Sequence, residues 1–271
     1  MEKADTGSDS LRELLLSNGL NEGCSLMVHS SFRYLREIFN QDDTAWFIDQ
    51  FSRVTGPDGS LIMPSFTYSF MNKVNGYVRY DPFNSRSLTG FLTEAFRLTK
   101  GVKRTHSPTH SFLVKGSRIP EKYISEYPVS PLGRDSLIGY FSGIQDSYIL
   151  LAGCGFTSLT ILHYAENIMD NSYTDINPWE HQNVQAETVC FDGIHEVEQI
   201  PGCSRGFSNL QDCIEENGPF DFVKEIADFI YLVKVKEFIP FTLQYLKNDP
   251  TGLLCEKGTC PACDSRRKKY D

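Results

Sequence analysis

Residues 149–166 read ILLAGCGFTSLTILHYAE. Ile149 to Ala152 is a short unbroken apolar run, the pattern of a strand buried on both faces. Gly153-Cys154-Gly155 then turns the chain, and Ser158 to Met169 has the apolar spacing of a helix. A buried strand leading through a glycine turn into a helix is the unit of an α/β sheet, and ligands of such sheets sit at the carboxyl ends of the strands.

The same alternation continues on both sides. Ser10 to Glu13 has the form of a capping box ahead of a helix striped by Leu11, Leu14 and Leu15, which Gly19 is placed to end. Ser25 to His29 reads as a strand, and Asp43 to Val54 as a helix with Phe47, Phe51 and Val54 at core spacing. The turn Gly56-Pro57-Asp58-Gly59 separates that helix from a strand at Leu61 to Met63. Residues 65–87 show no period and read as a long functional loop. Leu88 to Leu98 is expected to be a helix with Phe91, Leu92, Ala95 and Phe96 inward. Ser111 to Val114 and Tyr148 to Ala152 are further strands. Gln185 to Phe191 and Ile194 to Ile200 are expected to form a hairpin about an Asp192-Gly193 turn. Phe229 to Val235 alternates as a strand, and Phe238 to Leu246 is a closing helix. With no repeat or linker in view, the expectation is an α/β chain in one domain over 1–271, three-layer α/β/α about a central mixed sheet. Residues 1–9 are read as a flexible N-terminus.

Lys plus Arg is 26 against 35 Asp plus Glu, a formal charge of −9. That balance argues against nucleic acid as a partner. No apolar run approaches the roughly 20 residues of a membrane span, and the polar stretch Met1 to Ser10 does not resemble a signal peptide. A cytoplasmic protein with free thiols is expected. Arg266, Arg267, Lys268 and Lys269 form the one basic run, read as a solvated tail.

His163 and Glu166 are three apart on one helix face, with Thr160 a turn earlier. A carboxylate so placed can orient an imidazole and stabilise its protonated form. A surface ion pair is the plainer alternative, and half of a carboxylate metal site is another. Ser30 and Ser31 close the first strand, where hydroxyls and backbone N–H groups can bind phosphate or simply cap a helix. Cys255, Cys260 and Cys263 put three thiols within nine residues. A structural zinc takes four ligands, so Cys203, Cys213 or a histidine would have to supply the last. Without it, 255–271 is a reduced Cys-rich basic segment, and no metal is assigned.

The segment from Leu151 to Glu166 resembles the aminoglycoside 3-N-acetyltransferases, whose motif carries Thr, then Leu-His, then Ala-Glu at this spacing. The likeness extends through Val28-His29-Ser30-Ser31-Phe32, the run from Gly56 to Pro64, Tyr80-Asp81-Pro82, Gly90, Glu94, Arg104 to Gly116 and Ser130-Pro131-Leu132. It covers roughly residues 11–255. Each motif is modest, but their order is specific.

The resemblance implies an antibiotic N-acetyltransferase-like fold and acetyl transfer from acetyl-CoA, the co-substrate, to a small-molecule amine. Only a free amine attacks a thioester, so a base is required, and histidine's ordinary pKa of about 6.5 suits that work. His163 is assigned as the base, with Glu166 or Glu94 as its carboxylate partner; Asp81 is a further candidate. Ser30, Ser31, Phe32, Arg33, Thr109, His110 and Ser111 are assigned to the coenzyme. Tyr68, Asp81, Asn84, Ser85 and Thr160 are assigned to the acceptor.

The chain departs from the family in two places. Ser107 stands where the family usually has a histidine before proline, although His106 and His110 flank it. The loop between Phe66 and Asp81 is short, and Asp81 is the one carboxylate in residues 60–93. A polycation would find little to pair with there, so the expected acceptor is a mono-amino sugar, nucleotide-linked and met by Lys73, Arg79 or Arg86. An aminoglycoside is the alternative. A non-catalytic small-molecule or zinc-binding protein is a rival of another class. A thioester hydrolase is disfavoured because no G-x-S-x-G elbow is present.

Overall fold

A computed structural model describes residues 10–67, 80–126, 130–169, 187–190, 193–196 and 202–271. Its centre is a seven-stranded sheet in the order β3-β4-β2-β1-β5-β9-β8. The three middle strands, β1 (Ser25–Ser30), β2 (Ser60–Pro64) and β5 (Ser147–Ala152), are parallel. They are buried almost throughout, as expected for strands covered on both faces. Antiparallel strands complete both edges. β3 (Lys103–Arg104) and β4 (Phe112–Gly116) lie beyond β2; β9 (Ile230–Lys234) and β8 (Val223–Ala227) lie beyond β5. The sheet is therefore mixed.

Because side chains alternate along a strand, each face builds its own core. Leu26, Val28, Leu61, Met63 and Leu150 pack under α1 (Ser10–Ser17), α2 (Phe32–Phe39), α3 (Thr44–Thr55) and α4 (Phe91–Arg97). Met27, Ile62, Ile149 and Leu151 face the other layer. There lie the short α5 (Lys122–Ser125), then α6 (Leu137–Gly143), α7 (Ile161–Ile168), α8 (Ser208–Asn217) and α9 (Val235–Asn248). The result is a three-layer α/β/α fold.

Two glycines are dictated by close approach. A Cβ on Gly59 would lie 2.0 Å from the Cys24 carbonyl oxygen. Gly153 has φ +70°, and a Cβ there would strike the Tyr34 side chain at 2.4 Å. The glycine after β5 thus lets the strand end turn tightly beneath α2.

Several expectations need correction. α4 begins at Phe91, three residues later than expected, and Phe91 is exposed rather than inward, as are Leu88 and Leu98. β6 (Glu187–Cys190) and β7 (Gly193–Glu196) do pair antiparallel, but Cys190 lies opposite Gly193. Gly193 is thus a strand residue and not a turn residue. The basic run is not a free tail. α10 (Pro261–Arg267) packs against the body with Ala262, Cys263 and Arg266 buried, while Lys268 and Lys269 stay exposed. Residues 1–9 lie outside the described residues. Among those described, no helix is long and apolar enough to cross a membrane.

Candidate functional site

β1, β2 and β5 all end on one edge of the sheet, and the antiparallel β4 and β9 begin there. That edge gathers Ser30 and Ser31, Ser65 and Phe66, His110 and Ser111, and Gly153 with the entry to α7. The first turn of α7 carries His163. Its Nδ1 lies 2.9 Å from Glu166 Oε2. Both groups are buried, Glu166 completely. The other carboxylate oxygen, Oε1, lies 3.4 Å from Nη1 of Arg266, itself buried on α10. The pair is thus an interior one with a cation behind it, and not a surface contact.

An aromatic row surrounds the imidazole. Phe207 lies 4.7 Å from the His163 ring and His110 lies 6.3 Å from it, with Phe66 4.6 Å beyond His110. Burial, and after it the neighbouring imidazole of His163, pushes the His110 imidazole down to about 3. His110 is therefore neutral near pH 7. Its backbone N–H donates to Ser107 Oγ, so the serine in place of the family's histidine serves as a local loop cap.

The remaining expected residues divide by what they already hold. Ser31 is the N-cap of α2, its Oγ accepting from the Tyr34 N–H at 3.4 Å. The Phe32 and Arg33 amides occupy that first turn, where N–H groups lack acceptors within the helix. Phe32 packs against Phe47 and Phe91, and exposed Arg33 pairs with Glu37. The buried Ser111 hydroxyl donates to the Ser65 carbonyl at 2.5 Å and accepts from Arg104 Nε at 3.1 Å, which ties the edge together. Arg104 also donates to the carbonyls of Ser65 and Ser85. Thr109 is buried with its Oγ1 3.2 Å from Ser107 Oγ.

Glu94 is engaged with Arg97 and Ser87. Its carboxylate takes two bonds from Arg97 and one from the Ser87 N–H, all at 2.8 Å. Arg97, first, and the Ser87 amide hold that carboxyl below its ordinary range against the opposing effect of burial. It is not the partner of His163. Asp81 is likewise engaged, accepting from the Phe83 and Asn84 amides and the Asn84 side chain, while Ser85 Oγ accepts from the Asp81 N–H. Thr160 is buried at the entry to α7, where its carbonyl accepts from the His163 N–H. Tyr68, Lys73 and Arg79 lie outside the described residues; Arg86 is exposed. Sequence reasoning missed Arg266 and Phe207. Arg266 sat in a basic run, and Phe207 in a stretch with no period.

A mixed seven-stranded sheet with a buried histidine–carboxylate pair on the helix that follows its parallel strand β5 defines the class: an α/β protein with an imidazole and a carboxylate gathered at the strand ends. The family model described as aminoglycoside 3-N-acetyltransferase matches residues 27–247, and the chain belongs to that family. It is 30% identical over 154 residues to aminoglycoside N(3)-acetyltransferase IV of Salmonella sp, covering 56% of this chain and 55% of that one. It is 28% identical over 178 residues to the prophage-derived aminoglycoside N(3')-acetyltransferase-like protein YokD of Bacillus subtilis, covering 58% and 63%. The matched stretches thus span less than two thirds of those relatives. The fold matches the crystal structure of aminoglycoside acetyltransferase AAC(3)-IVa with a TM-score of 0.77 at 24% identity, over 96% of both chains. It matches that of AAC-IIIb with CoASH with a TM-score of 0.68 at 18% identity, over 89% of this chain and 96% of that one.

Proposed function

We propose that the protein transfers an acetyl group from acetyl-CoA to an amine of an aminoglycoside-type amino sugar. The observation that carries this reading is the buried His163–Glu166 pair at the strand ends of a member of this family. An amine near neutral pH is mostly ammonium and must lose a proton to attack a thioester. Glu166 accepts from Nδ1–H, which fixes the tautomer and turns the Nε2 lone pair toward the acceptor. It then stabilises the imidazolium that forms, while Arg266 keeps the second carboxylate oxygen in place.

The coenzyme supplies the acetyl thioester. The residues of this edge fit such a molecule: the α2 amides of Phe32 and Arg33 and the exposed Arg33 guanidinium suit its phosphates. Ser31 serves that surface by shaping the helix end. Solved relatives with bound gentamicin, apramycin and sisomicin support an aminoglycoside as acceptor.

A nucleotide-linked amino sugar is the second reading. Asp81 favours it, since the one carboxylate in residues 60–93 is already bonded to Phe83 and Asn84. The test compares kcat/KM for CoA release with gentamicin, apramycin and a nucleotide-linked amino sugar at one pH and salt. Faster turnover of an aminoglycoside supports the first reading. A nucleotide-linked sugar ahead by about tenfold, roughly 1.4 kcal/mol of transition-state preference, supports the second. Binding of acetyl-CoA without turnover of any amine overturns both.

A further inference from the structure

Cys255, Cys260 and Cys263 have company. Cys203, just ahead of the turn Arg205–Phe207, enters the same place, and the four Sγ atoms all lie within 4.8 Å of one another. Cys255 and Cys263 are buried, Cys203 and Cys260 partly so, and all four are free thiols. Cys213 sits apart on α8, where its carbonyl accepts from the Asn217 side chain. A tetrahedral zinc with four bonds of about 2.3 Å to sulfur sets its sulfurs about 3.8 Å apart, inside the observed span. Around the thiols the chain is locally closed. The Gly258 N–H donates to Asp264 at 3.0 Å, Thr259 Oγ1 donates to the Glu256 carbonyl at 2.6 Å, and Arg267 donates to the Cys255 carbonyl at 2.9 Å. Four sulfur donors select a soft or borderline ion and exclude magnesium and calcium.

We propose that Cys203, Cys255, Cys260 and Cys263 bind one structural zinc ion that docks two separate segments onto the His163–Glu166 pair. Binding converts four thiols to thiolates and releases four protons; nothing is oxidised or reduced. The resulting centre carries a net charge of −2, and Arg266 Nη2 lies 3.6 Å from Cys263 Sγ to offset it. The same guanidinium reaches Glu166 through Nη1. The second arm runs from Cys203 to Phe207, whose ring lies against His163. The zinc acts by holding these two arms. This inference stands on the four thiols and does not depend on the acetyltransferase reading.

The experiment uses the full chain, expressed with added zinc and purified without chelator. Elemental analysis is expected to find one zinc per chain in the native sequence and in Cys213→Ser, and a large loss in Cys203→Ser and Cys263→Ser. If those variants are insoluble, cobalt replacement in the native sequence decides, through the charge-transfer and d–d bands of a tetrahedral tetrathiolate centre. Amide hydrogen exchange before and after zinc removal is expected to rise at 202–207 and 255–267 and also at 161–166. Substoichiometric metal with no cobalt bands, iron in place of zinc, or these cysteines recovered as disulfides would overturn the site. Unchanged exchange at 161–166 would overturn its docking role.

Discussion

Replacing Arg266 with methionine tests the cation behind the candidate base. Its side chain is 3% exposed and that of Glu166 is 0%, so the pair lies in the interior. Arg266→Met keeps much of the apolar stem and deletes the guanidinium, which leaves Glu166 with the imidazole alone. Removing one partner of a buried pair costs about 3–5 kcal/mol, because the remaining charge stays buried without its counter-charge. That is a large part of the roughly 5–15 kcal/mol that holds a typical domain. At about 2–4 °C per kcal/mol for a chain near this size, the melting midpoint should fall by roughly 6–20 °C. Urea unfolding followed by circular dichroism at pH 7 gives the free energy directly. The double variant Glu166→Gln with Arg266→Met removes both charges and should recover at least half of the loss. Since both proteins lack the guanidinium beside Cys263, the difference between them isolates the Glu166 charge. A single-variant loss below about 1 kcal/mol would refute the reasoning, because it would mean that water or a proton reaches the carboxylate easily. A double variant as unstable as the single one would assign the loss to packing.

Three further outcomes are expected. His163→Ala should lower kcat by about 10²–10⁴ while acetyl-CoA still binds, measured by steady-state kinetics and calorimetric titration; near-normal turnover would remove it as the base. Ser31→Ala should lose about 0.5–2 kcal/mol of unfolding free energy through the α2 cap, read by urea unfolding, and no loss would return the hydroxyl to ligand binding. Burial pushes His29 in β1 down to about 3, so the unfolded chain takes up a proton below about pH 6.5 that the folded chain refuses, and stability falls as pH falls between those values. The slope due to His29 is at most about 1.4 kcal/mol per pH unit, and His29→Leu should remove it in unfolding measurements at pH 6.5 and 5; an unchanged slope would show that the proton is taken up elsewhere.

Much of this architecture was legible in local signals. The run from Ile149 to Ala152 before a glycine turn read as a buried strand and is one, and the His163–Glu166 spacing put both groups on one face of α7. What escaped was non-local or had two local meanings. Ser31 suits a helix cap and a phosphate equally, so α2 went unread although its cap was in view. Glu94 stood in a family motif, but its geometry belongs to Arg97, three residues on. Phe91 has a core residue's chemistry, yet α4 starts there and leaves it outside. Arg266 and Cys203 acquire their meaning only when the chain closes on itself. A basic run gives no sign that its first member reaches Glu166, 100 residues earlier.

That separation also orders the birth of the protein. Glu166 leaves the ribosome 100 residues before Arg266 does. At about 5–20 residues per second, the nascent sheet and α7 wait roughly 5–20 s for their cation. During that interval Glu166 has its imidazole but no guanidinium, and Cys203, once made, waits for Cys255, Cys260 and Cys263. The strands can pair early, but the interior around His163 closes only when the segment from Cys255 to Arg266 arrives. A polypeptide interrupted before that segment would hold all seven strands of the central sheet around an unfinished centre.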